Sequence, residues 1–290
     1  MVTAAESIGG FFYVFLRGIG YYFRSERECN MRKFGVKLWS MDFVSNPQFV
    51  LEAEKALKEG KFGYLELFAL PDTYDEVKEE AKRFEGLLTV IHAPHVRQDF
   101  DTSNPDRVVE NQKIFADSKK FADLLDAKMI VTHPGDRYGE GSLEENIRQF
   151  KALNDERIAV ENLPYTCSST HRDLMGATVE EIKSIKDEVH CRFCLDFSHA
   201  ICSANKLKLN IYDMLAAFKA LKPDMYHLCD GDDKSTIDAH LHYGEGNYDL
   251  RRFLTEYIDE NALITMETGK GLPTGIKPWL DDAAYLSKLL

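Results

Sequence analysis

The sequence predicts a (β/α)8 barrel with an active site at the C-terminal ends of its strands. Short β-branched or aromatic runs alternate with longer runs of helical period. The alternation repeats eight times after Met31, and side chains of metal-ligand type close six consecutive strands. The strands are expected at residues 34–39, 64–68, 87–92, 129–133, 158–161, 192–196, 225–228 and 263–267. The helices between them are expected at 47–59, 74–84, 107–125, 143–152, 179–187, 211–221 and 248–257, and a last one at 278–290. Eight strand–helix units in sequence close a parallel barrel. An open doubly wound sheet is the weaker reading, because no glycine-rich phosphate loop follows the first strand.

Bulk composition bounds the function. A chain of 290 residues with 44% hydrophobic and 29% charged residues reads as a soluble globular protein. No run of apolar residues is long enough to span a bilayer. The six cysteines (Cys29, Cys167, Cys191, Cys194, Cys202 and Cys229) are scattered, which suits reduced thiols and a cytoplasmic protein. Cys191 and Cys194 are spaced CxxC but fall in an expected strand, where residues three apart face opposite sides and cannot share an ion.

Residues 1–30 are expected to be an N-terminal extension of uncertain structure, with the barrel occupying 31–290. Residues 8–23 are apolar and aromatic, interrupted by Arg17, with no basic leader before them. They read either as a membrane-surface anchor or as an extension ahead of a start at Met31, where MRKFGVKLW runs into the first strand.

The strand ends carry the chemistry. His92, His133, Glu161, Asp196, His227 and Glu267 stand at the C-terminal ends of strands three to eight, the end at which this fold builds its sites. Crowded imidazoles and carboxylates there repel one another or pay desolvation, so a cation is their natural partner. His199 follows Asp196 by one turn. Asp238 and His240 lie in the loop after strand seven, two residues apart, a spacing that points both side chains one way on an extended segment. His242 shares that parity and competes with His240. His171 and His190 read as surface residues.

These motifs, in order, are Ile91-His-Ala-Pro94, Thr132-His-Pro-Gly135, Val160-Glu-Asn162, Leu195-Asp-Phe-Ser-His199, His227-Leu-Cys-Asp230, Lys234-Ser-Thr-Ile-Asp-Ala-His240, Gly244-Glu-Gly-Asn247 and Met266-Glu-Thr268. The chain from Met31 onward thereby resembles the endonuclease IV family of xylose-isomerase-like barrels. The resemblance implies up to three zinc ions: one on His92, His133 and Glu161, a second on Glu161, Asp196, His227 and Glu267, a third on His199, Asp238 and His240. Manganese or iron suits the same nitrogen and oxygen ligands. It further implies phosphodiester hydrolysis, with Glu161 or Glu267 managing the proton, and abasic or damaged DNA as substrate.

Charge and loops pull against DNA. The net charge is −12, from 36 basic and 48 acidic side chains, which disfavours grip on a polyanion. Three divalent ions would leave the chain near −6, with positive charge concentrated in one cleft. His95 stands where the family carries a Tyr, and the loop after strand four places Asp136 and Glu140 beside Arg137. The alternative expectation is a sugar or sugar-phosphate epimerase or isomerase holding one divalent ion on Glu161, Asp196, His227 and Glu267, with the two glutamates as acid and base. No membrane or protein partner is indicated.

Overall fold

Side-chain parity along eight short strands decides what lies inside the barrel and what lies outside. The computed structural model describes residues 33–139, 142–167, 170–269 and 275–290, and the backbone of three N-terminal strands. The barrel strands are β1 (Lys33–Trp39), β2 (Tyr64–Phe68), β3 (Thr89–His92), β4 (Ile130–Thr132), β5 (Ile158–Glu161), β6 (Arg192–Asp196), β7 (Met225–Leu228) and β8 (Leu263–Met266). All neighbours pair in parallel and β8 returns to β1, closing the barrel.

Two apolar layers follow from this parity. Leu65, Leu67, Ile91, Ile130, Val160, Leu195 and Ile264 point outward into the main core against the helices. Tyr64, Val90, Met129, Val131, Ala159, Cys194 and Met225 point inward and fill the barrel. Gly35 is needed on β1, because a Cβ there would stand 2.4 Å from the Tyr64 ring. Its absence lets Tyr64 cross the barrel floor and bond Thr265 Oγ1 at 2.7 Å. Above this floor the inward positions turn polar, and the site begins.

The helices that cover the strands are α1 (Pro47–Lys58), α2 (Tyr74–Ala81), α3 (Val108–Leu124), α4 (Ser142–Leu153), α5 (Val179–Val189), α6 (Phe197–Leu207), α7 (Ile211–Ala220), a short α8 (Leu250–Arg252) and α9 (Lys277–Leu289). The α5 N-terminus carries a capping box, Thr178 with Glu181, and α5 ends at left-handed His190. The largest departure from expectation is α6, which the sequence reading lacks. Its run, FSHAICSANKL, begins directly after Asp196, so no loop separates it from β6 to mark a helix start. α8 is also shorter than expected, because the segment continues as a π-turn over Phe253–Tyr257.

At the N-terminus, strands Ala5–Ile8, Phe11–Leu16 and Ile19–Arg24 pair antiparallel in a separate sheet. The other residues up to Arg32 lie outside the described residues, and with them Arg17, Cys29 and the expected boundary at Met31; so does Glu140. Among the described residues, no helix is long and apolar enough to cross a membrane.

Candidate metal centre

Glu161, the last residue of β5, is fully buried and lies among four imidazoles. Its Oε2 is 3.0 Å from His133 Nε2 and 3.4 Å from His92 Nε2. Its Oε1 is 3.2 Å from His227 Nδ1 and 3.3 Å from His199 Nδ1. Register explains the convergence: His92, His133, Glu161, Asp196 and His227, at or next to the ends of β3 to β7, share inward parity, and β6 and β7 pair Asp196 directly with His227. His227 Nδ1 also lies 3.2 Å from Glu267 Oε1.

Asp196 serves local structure and site together. Its Oδ1 accepts from the His199 backbone N–H at 2.7 Å, capping α6 and fixing His199 in the first turn. Asn162 clamps the same strand end, its side chain bonding Asp196 N and O at 2.8 and 2.9 Å.

In the third expected group, Asp238 touches both histidines. Asp238 Oδ2 lies 3.5 Å from His199 Nε2 and in close contact with His240 Nε2. The expected mechanism for this was wrong. Asp238 and His240 are not on an extended segment: His240 has φ 48°, a left-handed backbone that costs a non-glycine residue about 1–2 kcal/mol. That turn, not strand parity, aims the ring. His242 is drawn away to α9, where its Nδ1 meets Asp282 Oδ2 at 2.7 Å. His171 and His190 are exposed. His95 stacks on His133 with ring centroids 5.2 Å apart, at the edge of the site, and burial pushes its pKa well down.

Lys37 and Glu66 belong to the centre and were missed. Both have inward parity on β1 and β2 and are paired in register. Glu66 is completely buried. Lys37 Nζ lies 2.9 Å from Glu66 Oε1 and contacts Glu267 Oε1. Thr265 donates to Glu66 Oε2 at 2.6 Å, and Tyr64 in turn donates to Thr265. The available signal was parity: a Lys and a Glu at inward positions of adjacent strands cannot be solvated and need partners.

The imidazoles are oriented as ligating histidines are. His92, His199 and His240 each bond a backbone carbonyl through Nδ1, of Ala93, Asn162 and Glu267, at 2.8, 2.9 and 2.7 Å. A carbonyl can only accept, so Nδ1 carries the proton and Nε2 faces the site. His227 is reversed. Its Nε2 meets Glu66 Oε2 at 2.9 Å, leaving Nδ1 forward.

The electrostatics ask for cations. Burial pushes the Asp196 carboxyl up to about 7, against His199 and with Glu161, Asp238 and Glu267 close by. Burial also disfavours charge on Glu161, but His227 and His133 outweigh it and hold the carboxyl well down. Glu267, likewise buried, is held down to about 2 by Lys37 and His227. Burial lowers His133 to about 4. Burial opposes charge on His240, yet Asp238 raises it to about 9.

The donor set fits divalent metal. Bonds of about 2.0–2.2 Å at tetrahedral angles put ligand atoms roughly 3.3–3.6 Å apart. The 3.0–3.4 Å separations among His92, His133, Glu161, His227 and Glu267 are close to such edges. Two groups, His92–His133–Glu161 and Glu161–Asp196–His227–Glu267, have donor atoms all within 4.8 Å of one another. Asp238 and His240 meet that criterion with Cys229.

The fold places the chain among the xylose-isomerase-like barrels. Residues 31–289 match the family described as Xylose isomerase-like TIM barrel, and the chain belongs to it. It is similar to the Apurinic-apyrimidinic endonuclease 1 of Plasmodium falciparum (isolate 3D7), 24% identical over 218 residues, covering 67% of this chain but only 36% of that protein. It is also similar to the Probable endonuclease 4 of Staphylococcus carnosus (strain TM300), 26% identical over 224 residues, covering 69% of this chain and 73% of that one. Among solved structures, a D-tagatose 3-epimerase-like protein aligns with a TM-score of 0.66 at 20% identity, covering 89% of this chain and 96% of that one. At that identity the likeness is one of fold.

Proposed function

We propose that the protein is a metal-dependent phosphodiester hydrolase of the endonuclease IV type, holding up to three divalent ions, zinc foremost. The observation that carries this reading is the third group. His199, Asp238 and His240 converge beside the Glu161-centred groups, and a mononuclear enzyme has no evident use for them. In this reading His92, His133 and Glu161 hold one ion; Glu161, Asp196, His227 and Glu267 a second; His199, Asp238 and His240 a third. Manganese or iron suits the same ligands.

When bound, such ions activate water near neutral pH and stabilise charge on a phosphoryl group. The chain's own residues supply geometry and proton acceptors. Glu161 and Glu267 stay ionised at ordinary pH, so each presents an anionic ligand; in this reading either could take a proton but neither carries one to donate. The substrate we infer is a phosphodiester, with abasic or damaged DNA suggested by the names of the curated relatives. Asp136 and Arg137, in the loop after β4, are engaged with Arg172 and Glu181 within the chain. Neither is therefore poised to reach a duplex. No disulfide forms among the described cysteines, which fits a reducing, cytoplasmic setting.

A second reading has its own support. Glu161, Asp196, His227 and Glu267 alone make a complete four-ligand group with two glutamates, as a divalent-metal sugar or sugar-phosphate epimerase requires. The test is elemental analysis of protein purified without chelator, with parallel assays on duplex DNA bearing an abasic site and on D-tagatose. About three ions per chain with strand cleavage supports the hydrolase; about one ion with ketose turnover supports the epimerase.

A further inference from the structure

Two groups of metal-capable donors overlap at the barrel mouth. Both use His227 and Glu267. One is completed by Glu161 and Asp196, the other by Glu66 and His92, and in each the donor atoms lie within 4.8 Å of one another. What separates them is Lys37. Its ammonium lies 2.9 Å from Glu66 Oε1 and against Glu267 Oε1.

The topology puts it there. β1 runs between β8 and β2, so a long inward side chain from β1 lies between carboxylates carried by its two neighbours. Lys37 is in register with Glu66, and Gly35, two residues earlier, is in register with Thr265, two residues before Glu267. Its side chain is only 16% exposed.

We propose that the Lys37 ammonium is a tethered cation filling a fourth cation position, the Glu66–His92–His227–Glu267 group, and that it thereby confines divalent ions to the groups around Glu161. The inference rests on the reading of the mouth as a divalent-metal centre. A divalent ion in the fourth position would draw on His227 and Glu267 as well as on Glu66 and His92. The group completed by Glu161 and Asp196, which shares His227 and Glu267, would then have to compete for two of its four ligands. An ammonium on a covalent stem avoids this. It offsets one of the two carboxylate charges, cannot be lost to a chelator, and leaves Glu66 Oε2 to receive His227 Nε2 and Thr265 Oγ1.

The test counts ions. The full chain, stripped by a chelator, is titrated with Co2+; bound cobalt is measured after gel filtration and the visible d–d spectrum is recorded. K37M should bind about one more Co2+ per chain than the wild type. K37M/E66Q should return to the wild-type count, and K37R, which keeps a cation, should never leave it. If K37M does not fold by circular dichroism, K37Q takes its place with the same expectation. A folded Lys37 variant with the wild-type count and spectrum overturns the proposal. If the wild type binds no Co2+ while K37M binds one ion, the metal-centre reading fails and the tethered cation stands. If neither binds cobalt, both fail.

Discussion

His227 reaches Glu66 Oε2 through Nε2 at 2.9 Å, and this one bond decides which edge of the ring meets the site. Glu66 is held ionised: burial works against its charge, but His227 and Lys37 outweigh burial and keep its carboxyl low. An ionised carboxylate can only accept, so Nε2 is the donor and Nδ1 faces Glu161 and Glu267. In the other three oriented rings a backbone carbonyl does the same work through Nδ1. His227 uses a side-chain carboxylate instead, that of Glu66 on β2.

Replacing Glu66 therefore should damage a residue it supports more than the fold around it. Glu66→Leu should weaken binding at the Glu161–Asp196–His227–Glu267 group by about 10–100-fold, the usual scale for losing the partner of a ligating histidine. Glu66→Gln keeps an acceptor for Nε2 and should recover part of that loss. Competition with a chromophoric chelator measures both. Equal affinity in Glu66→Leu and wild type would remove Glu66 from this role.

Glu161→Gln should be the most damaging single change in the centre. One carboxylate lies within 3.0–3.4 Å of four imidazoles and belongs to both complete ligand groups. An amide keeps the shape but offers only one acceptor oxygen and no charge. Bound metal should fall at two positions together and phosphodiester cleavage should fall with it. Wild-type metal content in this variant would show that Glu161 bridges nothing.

Above pH 6 the metal-free and metal-loaded proteins should diverge in stability. Carboxyls with lowered folded values, such as Glu161 and Glu267, have given their stabilisation by then, because it is complete above their unfolded values near 4.5. The groups still titrating are raised ones. Asp196 moves from an unfolded value near 3.8 to about 7, and His240 from 6.5 to about 9. For a raised group the folded state holds the extra proton, so stability is lost as pH climbs from the unfolded to the folded value. The chelated protein should thus lose thermal stability between pH 6 and 9. With Zn2+ bound the protons are already displaced, and the decline should shrink or reverse. Melting curves at three pH values, with and without Zn2+, check the sign; a chelated protein that gains stability over this range contradicts it.

Much of this was legible from one sequence, for a physical reason. A (β/α)8 barrel ties function to strand ends, and strand parity fixes which side chains converge there, so His92, His133, Glu161, Asp196, His227 and Glu267 could be read from alternation alone. Lys37 and Glu66 obey the same parity, but they sit earlier on their strands, where a charged residue resembles any interruption of an apolar run. α6 escaped because it starts at Phe197, directly after the last residue of β6, with no turn residues between strand and helix to signal a new element. The left-handed turn at His240 escaped because backbone conformation in a loop is set by tertiary bonds, here Nδ1 to the Glu267 carbonyl.

Binding to undamaged duplex DNA should be weak and should weaken further with salt. The net charge is −12, and in the proposed reading compensating positive charge would enter only with bound metal ions. Fluorescence anisotropy with a labelled duplex at low and high salt tests this. Tight binding that ignores salt would mean that neutral contacts, not the cleft's charge, hold the nucleic acid.

The decisive pair for function is Asp238 and His240. Glu161, Asp196, His227 and Glu267 are required by hydrolase and epimerase alike, so changing them separates nothing. Asp238 and His240 lie outside that group, linked to it through His199, whose Nε2 stands 3.5 Å from Asp238 Oδ2. Burial raises the cost of charge on Asp238, but His240 and His199 hold its carboxyl well down, so it is ready to bind a cation without first losing a proton. Ser198 also donates to Asp238 Oδ1 at 2.7 Å, leaving Oδ2 for the histidines. Asp238→Ala/His240→Ala should lose about one ion per chain and most phosphodiester cleavage if the third group serves a leaving oxygen. An epimerase with the same double change should keep about one ion and its turnover number, with any loss appearing in KM. Elemental analysis and steady-state assays on both substrates decide between them. Retention of three ions would mean that Cys229, which shares a donor cluster with Asp238 and His240, or a neighbour of it, replaces the pair, and the assignment of these two residues would then be wrong.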